Sequence, residues 1–204
     1  MATRKYEQRL RAQAAEETRR RILDAVYERL REAPTQPVSV DQVARAARVA
    51  RSTVYLIFGS RAGLFDAVAA DLLRRGGFER VLTAVAHPDA REHLRGGIRA
   101  SVDVFAVYRD VHRVLFSTAM LDPEATGGAM QRSEDRRAGG MAYLAQRLAE
   151  QNLLRPDVTV DDAANILWLI TSFDAFDLLY TGRGLPVDEV ARLLVATAER
   201  AVCR

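Results

Sequence analysis

From Thr18 the apolar positions fall at helical spacing, with Ile22, Val26 and Leu30 in one line and Leu23 and Tyr27 beside it, until Pro34 and Pro37 close the run. This stripe predicts a first helix. Ser39 and Gln42 have the S-x-x-Q spacing of a capping box, and Val38 and Val43 are placed to pack across it as a hydrophobic staple, so a second helix is predicted from about Val40. Val40, Val43, Ala44 and Ala47 share one face of it. After a turn, Val49, Val54 and Phe58 supply the apolar contacts with which a further short helix packs against that face. Arg51, Ser52, Thr53 and Tyr55 are left on its outer side. Ser60 can cap the next helix, which runs through Leu64, Phe65, Val68, Leu72 and Leu73 towards Gly76 and Gly77.

Beyond Phe78 the pattern stays helical, broken at His87-Pro88, Asp122-Pro123, Thr126 to Gly128, Arg155-Pro156 and Gly182 to Pro186. The predicted helices are 90–108, 110–120, 129–151, 160–180 and 187–202. No alternating strand pattern, internal repeat or low-complexity stretch occurs. The fold class is therefore all-α with about nine helices, an N-terminal three-helix module over residues 1–60 and a larger helical domain over 61–204. Residues 1–17 carry Arg4, Lys5, Arg9 and Arg11 with little apolar content, and read as a mobile or partly helical arm. Two late helices bear on assembly. Ile166, Leu167, Leu169, Ile170, Phe173, Phe176, Leu178 and Leu179 point nearly all round one helix, which demands burial on more than one side. Val190, Leu194 and Ala198 line one face of the last helix. These faces either close the core of one chain or meet a second.

Charge is distributed unevenly. Residues 1–75 hold 15 basic and 9 acidic side chains, whereas the whole chain holds 30 and 27 for a net charge of +3. The N-terminal third is thus the cationic end, suited to a phosphate backbone, and the remainder is slightly acidic.

The segment from Val49 to Arg61, with Leu64 following, reads V-A-R-S-T-V-Y-L-I-F-G-S-R. It resembles the helix-turn-helix signature of the TetR/AcrR family of bacterial transcriptional regulators: a small-residue turn, Ser/Thr, an aliphatic, Tyr, Phe, then Ser, Lys and Leu. The resemblance covers about 45 residues from Thr18 to Leu64 and is architectural beyond them. Arg48 stands where the family usually has a turn glycine, Ala50 where it has a capping Ser, Ile57 where an aromatic or His touches a phosphate, and Arg61 in place of Lys. The resemblance implies that Thr18, Arg19, Ser39, Arg51, Ser52, Thr53, Tyr55 and Arg61 meet double-stranded operator DNA. It also implies a homodimer formed by the last two long helices, with Phe176, Leu179, Val190, Leu194 and Ala198 at the interface, and a small-molecule effector that releases a repressor from a palindromic operator.

Effector candidates are Phe105, Tyr108, Phe116, Met120, Met141, Trp168, Thr171 and Asp174, apolar walls with a few polar groups. The same composition describes an ordinary core. No phosphate loop, nucleophile elbow or Cys/His pair at metal spacing appears, and Asp174 and Asp177 lack a partner for acid–base work, so neither an enzyme nor a metal or cofactor is expected. The first 21 residues have no signal-peptide pattern, and 166–173 is far shorter than the roughly 18 residues that span a bilayer. A cytoplasmic protein without membrane contact is expected. Cys203, the 1 cysteine, excludes an intrachain disulfide. The alternative to a regulator is a helical, dimeric protein-interaction adaptor without a ligand switch.

Overall fold

The computed structural model describes residues 2–126 and 128–204; residues 1 and 127, and the side chains at 2–5 (Arg4 and Lys5 included), 7, 123 and 125, lie outside it. Among the described residues there are eleven α-helices and no strand: α1 (Ala2–Glu32), α2 (Val40–Ala46), α3 (Arg51–Phe58), α4 (Arg61–Arg75), α5 (Glu79–Val85), α6 (Ala90–Val107), α7 (Arg109–Leu121), α8 (Ala129–Glu150), α9 (Val160–Ile170), α10 (Phe173–Tyr180) and α11 (Val187–Val202), with a 3-10 turn at Pro123–Thr126. The chain forms two compact units, one of residues 1–71 and 113–130, the other of 72–112 and 131–204. The sequence placed a boundary at residue 60, whereas the first unit runs on to Asp71 and takes in a distant segment.

In the first unit the expected arm is continuous with the first helix as α1. Its second half buries Ile22, Val26, Tyr27 and Leu30, and the Tyr27 hydroxyl donates to Asp71 Oδ2 at 2.8 Å. Val40, Val43, Ala44 and Ala47 are buried as the periodicity requires, together with Val54 and Phe58 of α3. Ser39 occupies the N-cap of α2 in extended conformation, but no side-chain capping bond forms, so the expected box is present in spacing and absent in geometry. Val38 and Val43, the staple pair, are both buried and fix the entry of the chain instead. Ser60 does cap α4, its Oγ accepting from the Gly63 amide at 3.0 Å.

The second unit corrects two expectations. The stretch 160–180 is not one helix. Thr171 leaves α9, and Ser172, extended at φ −70° and ψ 154°, restarts the chain as α10 with its Oγ accepting from the Ala175 amide at 3.1 Å. Apolar residues all round a supposed single helix are thus the sum of two shorter faces: Ala163 and Leu167 are buried from α9, Phe173 and Phe176 from α10. The other correction is α5, which buries only Ala84 and so has no stripe to read. It packs on α6 where Gly96 lets the Ala84 side chain approach; a Cβ at Gly96 would lie 3.0 Å from it. α11 packs on α6 and α9, and α10 on α6 and α11.

Three helices end in the same backbone motif, in which the amide two past the cap bonds back across the last turn. In α2 the bonds are Val49 N–H to Ala44 O and Arg48 N–H to Arg45 O; in α4, Phe78 to Leu73 and Gly77 to Arg74; in α8, Leu153 to Leu148 and Asn152 to Ala149. Each needs a left-handed residue, supplied by Gly77 at φ 82°, Asn152 at φ 54° and Arg48 at φ 54°. Glycine accepts this backbone freely and asparagine tolerates it, whereas arginine is strained by roughly 1–2 kcal/mol.

Candidate nucleic-acid interface

The turn between α2 and α3 follows directly from that motif: it is four residues, 47–50, with Arg48 reversing the chain and Ala50 starting α3 at φ −71°, ψ 148° without a side-chain cap. α3 buries Val54 and Phe58 against α2, which turns the other side of the helix to solvent. Arg51, Ser52 and Tyr55 are exposed there and Thr53 is half-buried. The Arg51 guanidinium is not loose. Its Nη1 donates to both carboxylate oxygens of Asp41, at 3.2 and 3.1 Å, and its Nη2 to the Tyr55 hydroxyl at 3.3 Å. These partners hold its proton more firmly than usual, the Tyr55 hydrogen bond first and the Asp41 charge next.

The other residues singled out from the sequence surround this helix. Thr18 donates back to Ala14 O at 2.9 Å, and the Arg19 guanidinium lies 4.9 Å from the centre of the Phe58 ring at the end of α3. Ser39 is half-buried at the start of α2. Arg61 rests over the Phe65 ring and reaches the carbonyl oxygens of Val38 and Glu124, both at 3.5 Å. So one short helix and its two flanks present cations and hydroxyls over an apolar base. Asp41 is the addition that sequence reasoning missed, because the pairing of residues ten apart depends on the angle between α2 and α3.

Comparison with known proteins agrees with this geometry. Residues 22–68 match the family model for bacterial regulatory proteins of the tetR family. Among solved structures, a TetR-like transcriptional regulator from Rhodococcus is 25% identical with a TM-score of 0.62, covering 90% of this chain and 94% of that one. NalD of Pseudomonas aeruginosa, the secondary repressor of the MexAB-OprM multidrug efflux pump, is 25% identical at a TM-score of 0.71, covering 94% and 98%. Residues 22–68 are thus tetR-like in sequence, and the chain as a whole shares the fold of these regulators. A TetR-family transcriptional regulator from Syntrophomonas wolfei, 14% identical, shares the fold at a TM-score of 0.74 over 90% of this chain and 94% of its own. No curated protein matches the chain. The chain has the fold of a DNA-binding transcriptional regulator.

In the second unit the expected effector residues do not form one cluster. Phe105, half-buried, is central to a set of rings, 5.4 Å from His112 and from Phe173 and 5.8 Å from Phe176, all three buried, with the half-buried Tyr180 stacked on Phe176 at 5.2 Å. Burial pushes the His112 imidazole down to about 4, although its Nδ1 lies 3.0 Å from the Tyr108 carbonyl. Thr171 is buried, taking a hydrogen bond from Arg137 Nη1 at 2.9 Å and contacting Met141 Sδ at 3.6 Å. The same guanidinium covers the Trp168 ring at 5.0 Å. Asp174 is exposed in the first turn of α10, and Phe116 and Met120 belong to the other unit, Met120 being exposed. A gap of about 10 Å³ touches Phe105, Thr171, Ser172, Phe176 and Leu194. Asp177 is committed to a bidentate ion pair with Arg109, at 2.5 and 2.6 Å, and takes the Thr181 hydroxyl at 2.7 Å.

The expected interface residues Phe176, Val190, Leu194 and Ala198 are buried within the single chain, and Leu179 is half-buried. Large apolar side chains that stay exposed on α9 and α10 are Trp168, Leu169 and Leu178. Among the described residues no group of acids, histidines and cysteine is placed to hold a metal, and no helix is long and apolar enough to cross a membrane.

Proposed function

We propose that this chain is a cytoplasmic, homodimeric repressor that binds a roughly palindromic operator through α3 and is released when a small, largely apolar molecule enters the second unit. It acts by binding, without a catalytic step. The observation that carries the reading is the outer row of α3, where Arg51, Ser52 and Tyr55 are exposed on a helix whose other side is fixed by Val54 and Phe58. Such a row reaches base edges and phosphates in a major groove, and a dimer would read half-sites about 34–36 Å apart. NalD, similar over nearly its whole length, is described as a repressor of an efflux pump.

Dimerisation draws support from Trp168, Leu169 and Leu178, 41%, 65% and 69% exposed in the single chain. Exposed apolar groups of this size on neighbouring helices favour a covering partner. The effector arm draws on the ring cluster. A small-molecule pocket needs about 300 Å³ or more, so the roughly 10 Å³ beside Phe105 must open by moving rings.

The test is an anisotropy titration on DNA flanking the chain's own gene. Arg51→Ala, Tyr55→Phe and Arg61→Ala should each weaken binding, the first also relaxing the choice at one base pair by roughly 1–3 kcal/mol. Equal affinity for wild type and all three variants defeats the proposal. Light scattering should give twice the chain mass, and Trp168 fluorescence should respond to an effector that also dissociates the DNA.

A further inference from the structure

Asp41 puts a negative charge beside the residue with most to gain from a guanine or a phosphate. Its ion pair with Arg51 joins side chains 59% and 48% exposed, so it contributes little to stability. A carboxylate on a surface that meets DNA also repels the phosphates. In the first turn of α2 any acid would modestly stabilise the helix end; what is particular to Asp41 is its hold on Arg51.

A guanidinium carries five N–H groups. Three hydrogen bonds are made, two from Nη1 to Asp41 and one from Nη2 to Tyr55. The Nε–H and one Nη2–H are among those left, and Nε and Nη2 share one edge of the plane. Two parallel donors on one edge are what the O6 and N7 atoms of guanine accept. Without Asp41 the long side chain is free to turn that edge to a phosphate, which carries no sequence information.

We propose that Asp41 is a positioning residue that holds Arg51 with one donor edge outward, exchanging some general DNA affinity for discrimination at a single guanine. This rests on the DNA-binding reading above. The pairing fixes the guanidinium before contact, so less freedom is lost when the base is met.

Selection from a random duplex library, run in parallel with wild type, Asp41→Asn, Asp41→Glu and Arg51→Ala, tests it. Asp41→Asn should lose preference at one G·C pair by roughly 5-fold or more, the lower end for a bidentate contact, and keep it elsewhere. It should bind unrelated duplex a few-fold more tightly, and melt within about 4 °C of wild type. Asp41→Glu should restore part of the preference, and Arg51→Ala should lose it at the same pair. An Asp41→Asn protein with unchanged preference at every pair overturns the role of Asp41. So does a uniform loss of affinity accompanied by a lower melting temperature, which would make Asp41 structural. A wild-type protein that enriches no sequence overturns the DNA-binding reading itself.

Discussion

The first unit exposes its polar chemistry on the outside of α3, over a base that includes Val54 and Phe58, while the second gathers His112, Phe173, Phe176 and Tyr180 around Phe105. On α3 the exposed Arg51, Ser52 and Tyr55 add little to stability and stay available to a partner. In the second unit Phe173 and Phe176 are 1% exposed, and the same contacts that stabilise the fold occupy the space an effector would need. A DNA surface is built by adding polar groups to a finished core. An effector site is subtracted from one.

That contrast can be broken hardest at Gly63. A Cβ there would collide with the backbone oxygen of Phe58, which no side-chain adjustment relieves. Gly63→Ala must pry α3 from α4, at roughly 3 kcal/mol or more, and DNA binding should vanish at temperatures where the second unit still melts normally. Gly139→Ala is the control in α8, where nothing lies within 4 Å. It should be neutral or stabilising by about 0.5–1 kcal/mol. Chemical denaturation followed by hydrogen exchange in each unit checks both, and equal effects would mean that the α3–α4 junction is not the rigid point.

Acid should separate the units next. The 3 histidines all lie in the second. Burial holds His112 and His93 at about 4, below the ordinary 6.5. The unfolded chain therefore binds more protons between pH 6.5 and 4, so stability is complete above about 6.5 and declines as the pH falls towards 4. His112 alone accounts for about 3 kcal/mol of that decline. His112→Phe, which keeps a ring against Phe105 and Phe173, should remove roughly half of the acid sensitivity in melts at pH 7, 5.5 and 4. Melts that are flat over this range would show that the rings do not exclude water.

The legibility of the sequence follows the same division. Val40, Val43, Val54, Phe58 and the capping Ser60 could be read because each has a fixed spacing, and DNA, a partner of constant shape, fixes which side must stay polar. Phe105 and Trp168 share no such constraint: an apolar residue at helical spacing looks the same in a core, a pocket or an interface. Placing Val190, Leu194 and Ala198 inside the chain required the packing of α11 on α6 and α9. The break at Thr171-Ser172 was hidden because a Ser that caps a helix also occurs within one. Asp41 was hidden for a different reason, since its partner Arg51 comes within reach only through the tight turn at Arg48.

That turn supplies the smallest expected effect. Arg48 and Asn152 occupy the same left-handed position of the same backbone motif, one in each unit and both at φ 54°. Replacing Arg48 by glycine should relieve roughly 1–2 kcal/mol of strain. Part of that is returned through the greater freedom of the unfolded chain, roughly 0.4–1 kcal/mol, which leaves a net gain of about 0.5–1 kcal/mol. Asn152→Gly starts from a residue that tolerates the conformation, so its gain should be near zero. Arg48 is also an exposed cation on the turn that leads into α3. If its charge is used on DNA, Arg48→Gly should be more stable yet bind duplex more weakly, with a salt dependence shallower by up to about one phosphate contact. A variant that gains stability and keeps the wild-type salt dependence would show that the strain has no counterpart in DNA binding.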